Sequence, residues 1–221
     1  MIDYTIGKER EYQNAVVDMF KKTDGLGYDY LGNLQYTKGE TSRNGGIHNS
    51  NVIESELRAF LDAMDYTPLQ VNAAVKKLLD AANLPCRKFS DLLERNATFY
   101  ELLVSGTKAK PSPENTEEDV MFIDFKHPLN NRFSFAEEVS YIDPITGKHS
   151  RPDIVVFVNG IALAVIELKK ASVTITEGIK QCLSNEKDLI PSFFTTVQFT
   201  IAANPKHDND KMKIRGLNMP R

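Results

Sequence analysis

Asp153, Glu167 and Lys169 are the residues of this chain whose types and spacing could carry a reaction. Asp153 opens the apolar run Ile154-Val155-Val156-Phe157-Val158, and Glu167-Leu168-Lys169 closes the run Ile161-Ala162-Leu163-Ala164-Val165-Ile166. An ionised carboxylate in so dry a setting has to be paired, metal-bound or neutralised. Two carboxylates and an amine gathered at one spot suit phosphodiester hydrolysis, in which a hard cation neutralises charge at phosphorus and makes hydroxide from water near neutral pH. Magnesium takes oxygen ligands, commonly one or two carboxylates with water completing the shell. Asp153 and Glu167 would supply the carboxylates, and the Leu168 carbonyl another oxygen. Lys169 shares a strand face with Glu167, because strand side chains alternate with period two. It would position the attacking water or steady the charge building on phosphate. Without such a role, the same residues are the solvent-reaching ends of an ordinary strand pair. The Pro152-Asp153 entry, the apolar hairpin and the helix that follows favour the chemical reading.

The elements that must position these groups begin with the hairpin itself. Asn159-Gly160 between two β-branched runs is a strong short-range hairpin signal. Parity sets a condition on it. In a clean two-residue turn Val158 pairs with Ile161, Asp153 falls opposite Ile166, and Glu167 and Lys169 point to the other face. A one-residue change of register restores a shared face. The simplest device is a three-residue turn, Val158-Asn159-Gly160, with Gly160 left-handed in a bulge; a bulge elsewhere serves less simply.

Around the hairpin, helical periodicity runs from Lys8 to Lys22, ending at Asp24-Gly25-Leu26-Gly27, with Glu9, Glu11 and Gln13 in its first turns. One of these could reach the metal site, though a carboxylate there also suits the helix dipole. Tyr28 to Leu31 can extend. A polar, Gly-containing stretch follows, with Thr41 to Gly46 as its flexible centre. Asn51-x-x-Glu54 resembles a capping box for a helix to about Met64, Thr67-Pro68 opens another to Ala82, and Ser90 can cap a third to Leu103. This cluster, 51–105, holds no chemical constellation and offers packing or docking surface. Strands are expected at 120–125, 133–141 and 193–203, and Thr174-x-x-Glu177 opens a helix to about Asn185 that carries Gln181. Strands interleaved with covering helices define an α/β layered domain. Residues 1–205 are read as this domain and 206–221 as a polar tail.

At 221 residues and 41% hydrophobic, the chain is long enough for a sizeable core. No apolar run approaches the ~20 residues of a membrane span, and no secretory signal opens it. Cys86 and Cys182 lack metal-ligand spacing, so a reducing cytoplasm is expected, and the four histidines form no zinc pattern. A net charge of −3 argues against a free-standing tight nucleic-acid binder.

Asp…Glu-x-Lys is the signature of metal-dependent nucleases, and the surrounding wording is more specific. Phe122-Ile123-Asp124-Phe125, Asn130-Asn131-x-Phe133, Arg151-Pro152-Asp153-Ile154-Val155, Val158-Asn159-Gly160-Ile161-Ala162-Leu163 and Ile166-Glu167-Leu168-Lys169-Lys170 together resemble the N-terminal nuclease domain of the R subunit of type I restriction-modification enzymes. The likeness extends to the opening Glu9-Arg10-Glu11 and Gly27-Tyr28-x-Tyr30 segment. It implies a PD-(D/E)xK restriction-endonuclease-like fold, a central mixed sheet flanked by helices, and Mg2+-dependent cleavage of double-stranded DNA. It also implies that the intact subunit continues into an ATP-driven motor domain and works with methyltransferase and specificity subunits. Two departures stand out. The family tends to carry Gln-x-x-x-Tyr on the helix after Glu-x-Lys; here Gln181 is in place but the fourth residue on is Asn185. No Gly-x-x-x-x-Gly-Lys-Ser/Thr phosphate loop occurs, so ATP would belong to the motor domain outside this chain, where the grip on DNA would also reside. Gln181 is expected to support the metal ligands or the DNA backbone. The competing reading keeps the nuclease fold as an interaction module that docks the motor onto the methyltransferase and specificity core; a stand-alone repair or recombination nuclease fits less well.

Overall fold

Two strands, β7 (Ile154–Val158) and β8 (Ile161–Leu168), form the centre of the computed structural model, which describes residues 9–35, 50–205 and 213–216, the last four by backbone alone. In chain order the elements are α1 (Glu9–Lys21), β1 (Asp29–Asn33), α2 (Glu54–Ala63), α3 (Pro68–Ala82), α4 (Phe89–Ser105), β2 (Thr107–Ala109), β3 (Glu118–Val120), β4 (Phe133–Glu137), β5 (Tyr141–Ile142), β6 (His149–Ser150), β7, β8, α5 (Ile175–Ser184), β9 (Phe199–Ala203) and β10 (Lys213–Gly216). The stretch expected to be flexible, 41–46, lies outside the described residues.

The main sheet runs β1-β4-β7-β8-β9-β10. β1 and β4 are parallel, as are β8 and β9, and the other neighbours are antiparallel. This is the expected α/β architecture, a mixed sheet with helices on its faces. β10 adds a strand inside the stretch read as polar tail. α1 covers one face, where Val16, Val17 and Phe20 pack with Phe135, Ile154, Ile166 and Leu168. On the opposite face Val155, Phe157, Ala162 and Val165 meet Leu92 of α4 and the Phe193-Phe194 pair of a 3₁₀ turn (Pro191–Thr195). α5 lies beside them, with Ile175 and Cys182 on Ala202 of β9. Helices α2 to α4 bring their own core, including Leu57, Phe60, Leu78 and Phe99, which joins the sheet at Ile161 near the hairpin tip.

Several local expectations change. Thr67 does make the capping box with Gln70. Asn51 caps nothing: its buried amide donates to Thr195 Oγ1 at 2.9 Å, and Ile53 takes the N-cap position of α2. Lys88, rather than Ser90, precedes α4, and Thr174 precedes α5 without a side-chain cap bond. The strand expected at 120–125 ends at Val120, because Asp124 turns the chain by accepting the Lys126 and His127 N–H groups at 3.0 and 2.9 Å. The apolar start of the 193–203 run is the 3₁₀ turn, and only Phe199–Ala203 is strand.

The hairpin obeys the parity condition by the less simple route. Val158 pairs with Ile161 and Phe157 with Ala162, so the turn is a two-residue one and the expected three-residue turn is wrong. Asn159 itself goes left-handed (φ 51°) beside Gly160 (φ 79°), the pattern of a type I′ turn. Its side chain holds that conformation: Oδ1 accepts from Arg132 N at 2.8 Å, and Nδ2 donates to Phe122 O and Asn131 Oδ1, both at 2.9 Å. The register change falls inside β8 instead. Val156 pairs with Ala164, so Leu163 is the extra, bulged residue, and its carbonyl accepts from Gln198 N at 2.8 Å. Beyond the bulge Val155 pairs with Val165 and Ile154 with Ile166. Continued by one residue, that register sets Asp153 opposite Glu167.

Candidate active site

The register delivers Asp153 and Glu167 to the same face, at the end of the sheet away from the turn. Asp153 lies just before β7, and its carboxylate Oδ2 accepts from the backbone N–H of Leu168 at 2.7 Å, closing the hairpin's open end. The Asp153 carbonyl is held as well, accepting from Glu138 N at 3.0 Å and Gln13 Nε2 at 3.3 Å. Glu138 sits at φ 53°, strained for a residue with a side chain. Arg151 holds its carboxylate at 2.5 Å. Gln13, buried on α1, also donates to Glu137 at 3.1 Å and so ties α1 to the end of β4.

Glu167 is 0% exposed. Its Oε1 accepts from Asn185 Nδ2 at 2.8 Å, and its Oε2 is buried without a hydrogen-bond donor. The Asp153 carboxyl lies alongside, close enough to hydrogen-bond once one of the two holds a proton. Burial pushes the Glu167 carboxyl well above the usual range, and the Asp153 charge adds to the effect against the opposing pull of Lys169. Asp153 is raised too, by burial first, while the Leu168 N–H and the Lys169 charge hold it down. The coupled pair therefore resists double ionisation.

Lys169 Nζ donates to the Leu168 carbonyl at 3.0 Å and comes within 3.6 Å of Glu9 Oε1 on α1. Its stem passes under α5 at Gly178, where an added Cβ would stand 3.4 Å from Lys169 Cγ and 3.1 Å from Ala202 Cβ. The N–H and C=O of one strand residue point the same way, so the Leu168 carbonyl emerges on the Asp153 side. Two carboxylates and a carbonyl thus collect at one spot, with one carboxylate oxygen unpartnered; these are hard oxygen donors of the kind magnesium takes. Among the described residues no cluster of three or more His, Cys, Asp or Glu side chains forms a metal site. Gln181 is half-buried and lines an open groove of about 670 Å³ with Lys169, Lys180, Ser184 and Asn185.

The structure thus brings Asp153, Glu167, Leu168 and Lys169 together and sets Gln181 on the adjoining groove. Sequence reasoning passed over Asn185, Ser150 and Glu138. Asn185 was visible only as a departure from Tyr, and neither of the others carries a local signal. The Asn130-Asn131 and Asn159-Gly160 wording serves the other end of the hairpin: Asn131 bonds Asp124, Pro128 and Asn159 there, all within 2.9 Å.

A mixed α/β domain with a buried carboxylate pair and a lysine at the sheet end is the class that fold and site define. The chain belongs to the family described as type I restriction enzyme R protein N terminus, which matches residues 8–207. The type I restriction enzyme HindI endonuclease subunit of Haemophilus influenzae is 30% identical over 185 residues, 81% of this chain and 17% of that protein. The putative type I restriction enzyme MjaIXP endonuclease subunit of Methanocaldococcus jannaschii is 33% identical over 120 residues, 52% of this chain and 11% of that protein. The chain therefore spans a small part of the length of its curated relatives.

Proposed function

We propose that this chain is the DNA-cleaving domain of a type I restriction enzyme R subunit, hydrolysing phosphodiesters of double-stranded DNA with Mg2+. The observation that carries the reading is Glu167 Oε2, buried and without a donor beside a second carboxyl group. An apolar strand pair tolerates that arrangement when a cation completes it. Asp153, Glu167 and the Leu168 carbonyl would hold the ion. Bound there, it would supply an activated water and charge neutralisation at phosphorus. Lys169 is the group that faces the phosphate, its amine oriented by the Leu168 carbonyl and by Glu9. Gln181 and Lys180 line the groove beside it and suit contacts to the flanking backbone. Site choice, ATP-driven translocation and assembly belong, on this reading, to the motor domain and to the methyltransferase and specificity subunits. The compartment would be the cytoplasm; no helix among the described residues is long and apolar enough to cross a membrane.

One observation favours docking as a second role. On α4, Leu93, Tyr100 and Val104 are exposed at helical spacing, 39%, 47% and 46% respectively, forming an apolar stripe beside the buried one. The two roles separate in one experiment on the assembled enzyme. Ala at Asp153, Glu167 or Lys169 abolishes DNA cleavage while ATP hydrolysis and assembly persist. Tyr100→Glu, in contrast, weakens assembly if the stripe docks. Near-normal cutting by Lys169→Ala overturns the catalytic assignment.

A further inference from the structure

Asn185 begins a single π-helical turn (Asn185–Leu189) that continues α5, and its side chain is 1% exposed. Such turns inside helices recur at functional sites. Here the turn carries a short polar side chain to Glu167. A carboxylate only accepts hydrogen bonds, so Asn185 presents its NH₂ to Glu167 Oε1 at 2.8 Å and its Oδ1 faces the other way. Ser150 Oγ meets that Oδ1 at 2.6 Å, and the hydroxyl must donate. The carboxylate thereby sets which way the Asn185 amide faces, Ser150 anchors the amide oxygen in that orientation, and Asn185 engages one Glu167 oxygen, Oε1.

The segment that carries Ser150 is built onto the π turn. β5 and β6 form a two-stranded ribbon joined by the turn 143–148. Thr146 Oγ1 donates to Leu189 O at 2.8 Å, and Lys148 Nζ to Asp188 O at 3.0 Å. Asp143 Oδ2 accepts from Ser192 N at 2.8 Å, just past the turn. Four side-chain bonds thus clip the ribbon along 185–192, and the one nearest the carboxylates is Ser150 to Asn185.

We infer that Ser150 and Asn185 are positioning residues that fix the rotation of the Glu167 carboxylate, occupying Oε1 and leaving Oε2 directed at the cation site. The inference rests on the metal-dependent reading above. It assigns Asn185 a role where the family's usual Tyr is missing, and it assigns the 141–150 ribbon a function as the brace of a metal ligand.

The test is a calorimetric titration of the 221-residue chain with Mn2+, alongside thermal unfolding. A hydrogen bond to a charged group contributes enough that its loss weakens ligand orientation by roughly tenfold or more. Asn185→Leu should weaken Mn2+ binding about that much. Ser150→Ala, which leaves the Asn185 amide held at one end only, should weaken it several-fold, and Ser150→Thr, which keeps the hydroxyl, should restore it. Affinity must fall without a matching fall in the unfolding midpoint. Mn2+ binding lost in Glu167→Gln but unchanged in both Asn185→Leu and Ser150→Ala overturns the positioning role alone. An unmodified chain that binds no Mn2+ removes the metal reading itself, and this inference with it.

Discussion

Glu167→Gln should make the metal-free protein more stable while removing the proposed metal site. Gln has the shape of Glu, and its Oε1 keeps the Asn185 donation at 2.8 Å. Its Nε2 replaces a buried oxygen that has no donor, in a carboxyl group that lies alongside Asp153. At a pH where both carboxyl groups are ionised, a buried contact between two acceptors becomes a hydrogen bond to a charged group, which contributes about 1.5–3 kcal/mol. Relief of an unpaired buried charge adds to this. Taking about 2 kcal/mol as the gain, a chain of this size should melt about 4–8 °C higher.

The gain depends on pH in a direction the structure sets. Glu167 and Asp153 have folded pKa values raised above their unfolded ones, mainly by burial. Below the ordinary carboxylate range both states hold their protons, and the parent loses nothing. As pH rises from there, the unfolded chain releases protons first, so parent stability falls until the folded groups have ionised. The advantage of the Glu167→Gln variant should therefore be small in acid and grow with rising pH. Mg2+ should then reverse the order, because a ligand that binds only the folded parent stabilises it by mass action. Differential scanning calorimetry from acid to pH 8, with and without Mg2+, reads all three effects. A variant that melts at or below the metal-free parent at pH 8 would refute the claim that Glu167 is held at a cost to stability.

Two further outcomes follow from the same geometry. Gly160→Ala should cost about 3 kcal/mol and lower the melting temperature by about 6–12 °C, because the residue sits at φ 79° and a Cβ would lie 2.4 Å from Ile53 O; an unchanged midpoint would show that the turn relaxes freely. The isolated chain should bind duplex DNA weakly, since its net charge is −3 and Lys148, Arg151 and Lys169 are already engaged with Asp188, Glu138 and Leu168; tight, salt-sensitive binding in an anisotropy titration would overturn this.

What the sequence revealed divides along the range of the forces involved. The carboxylates, the lysine and the strands that bear them were legible because apolar runs interrupted by charge are a local pattern. So was α3, whose Thr67-Pro68 start is a local bonding scheme. Asn51 misled for the opposite reason. Its spacing to Glu54 matches a cap, but its amide is drawn 144 residues along the chain to Thr195, where buried carbonyls need donors. Gln13, Glu138, Ser150 and Asn185 belong to the same long-range class. Each is polar and ordinary in its own segment, and each matters because folding places it against Asp153 or Glu167 or, for Ser150, against the Asn185 that bonds Glu167.

The bulge at Leu163 marks the limit of inference from spacing. Parity demanded one extra residue somewhere between Asp153 and Glu167, and that demand was met. Parity could not locate it, since any site on either strand repairs the register equally well. Tertiary contacts chose. Asn159 is wired to Arg132, Phe122 and Asn131, and Ile53 N donates to Gly160 O at 2.7 Å, so the tip of the hairpin is held on both sides and has no room for a third turn residue. The bulged Leu163 keeps its carbonyl satisfied, accepting from the Gln198 N–H at 2.8 Å. The polar wording at Asn131 and Asn159 thus acts on the site from the far end of the hairpin. By holding the turn at two residues it moves the register change out of the turn and onto a strand, and the change at Leu163 sets Asp153 opposite Glu167.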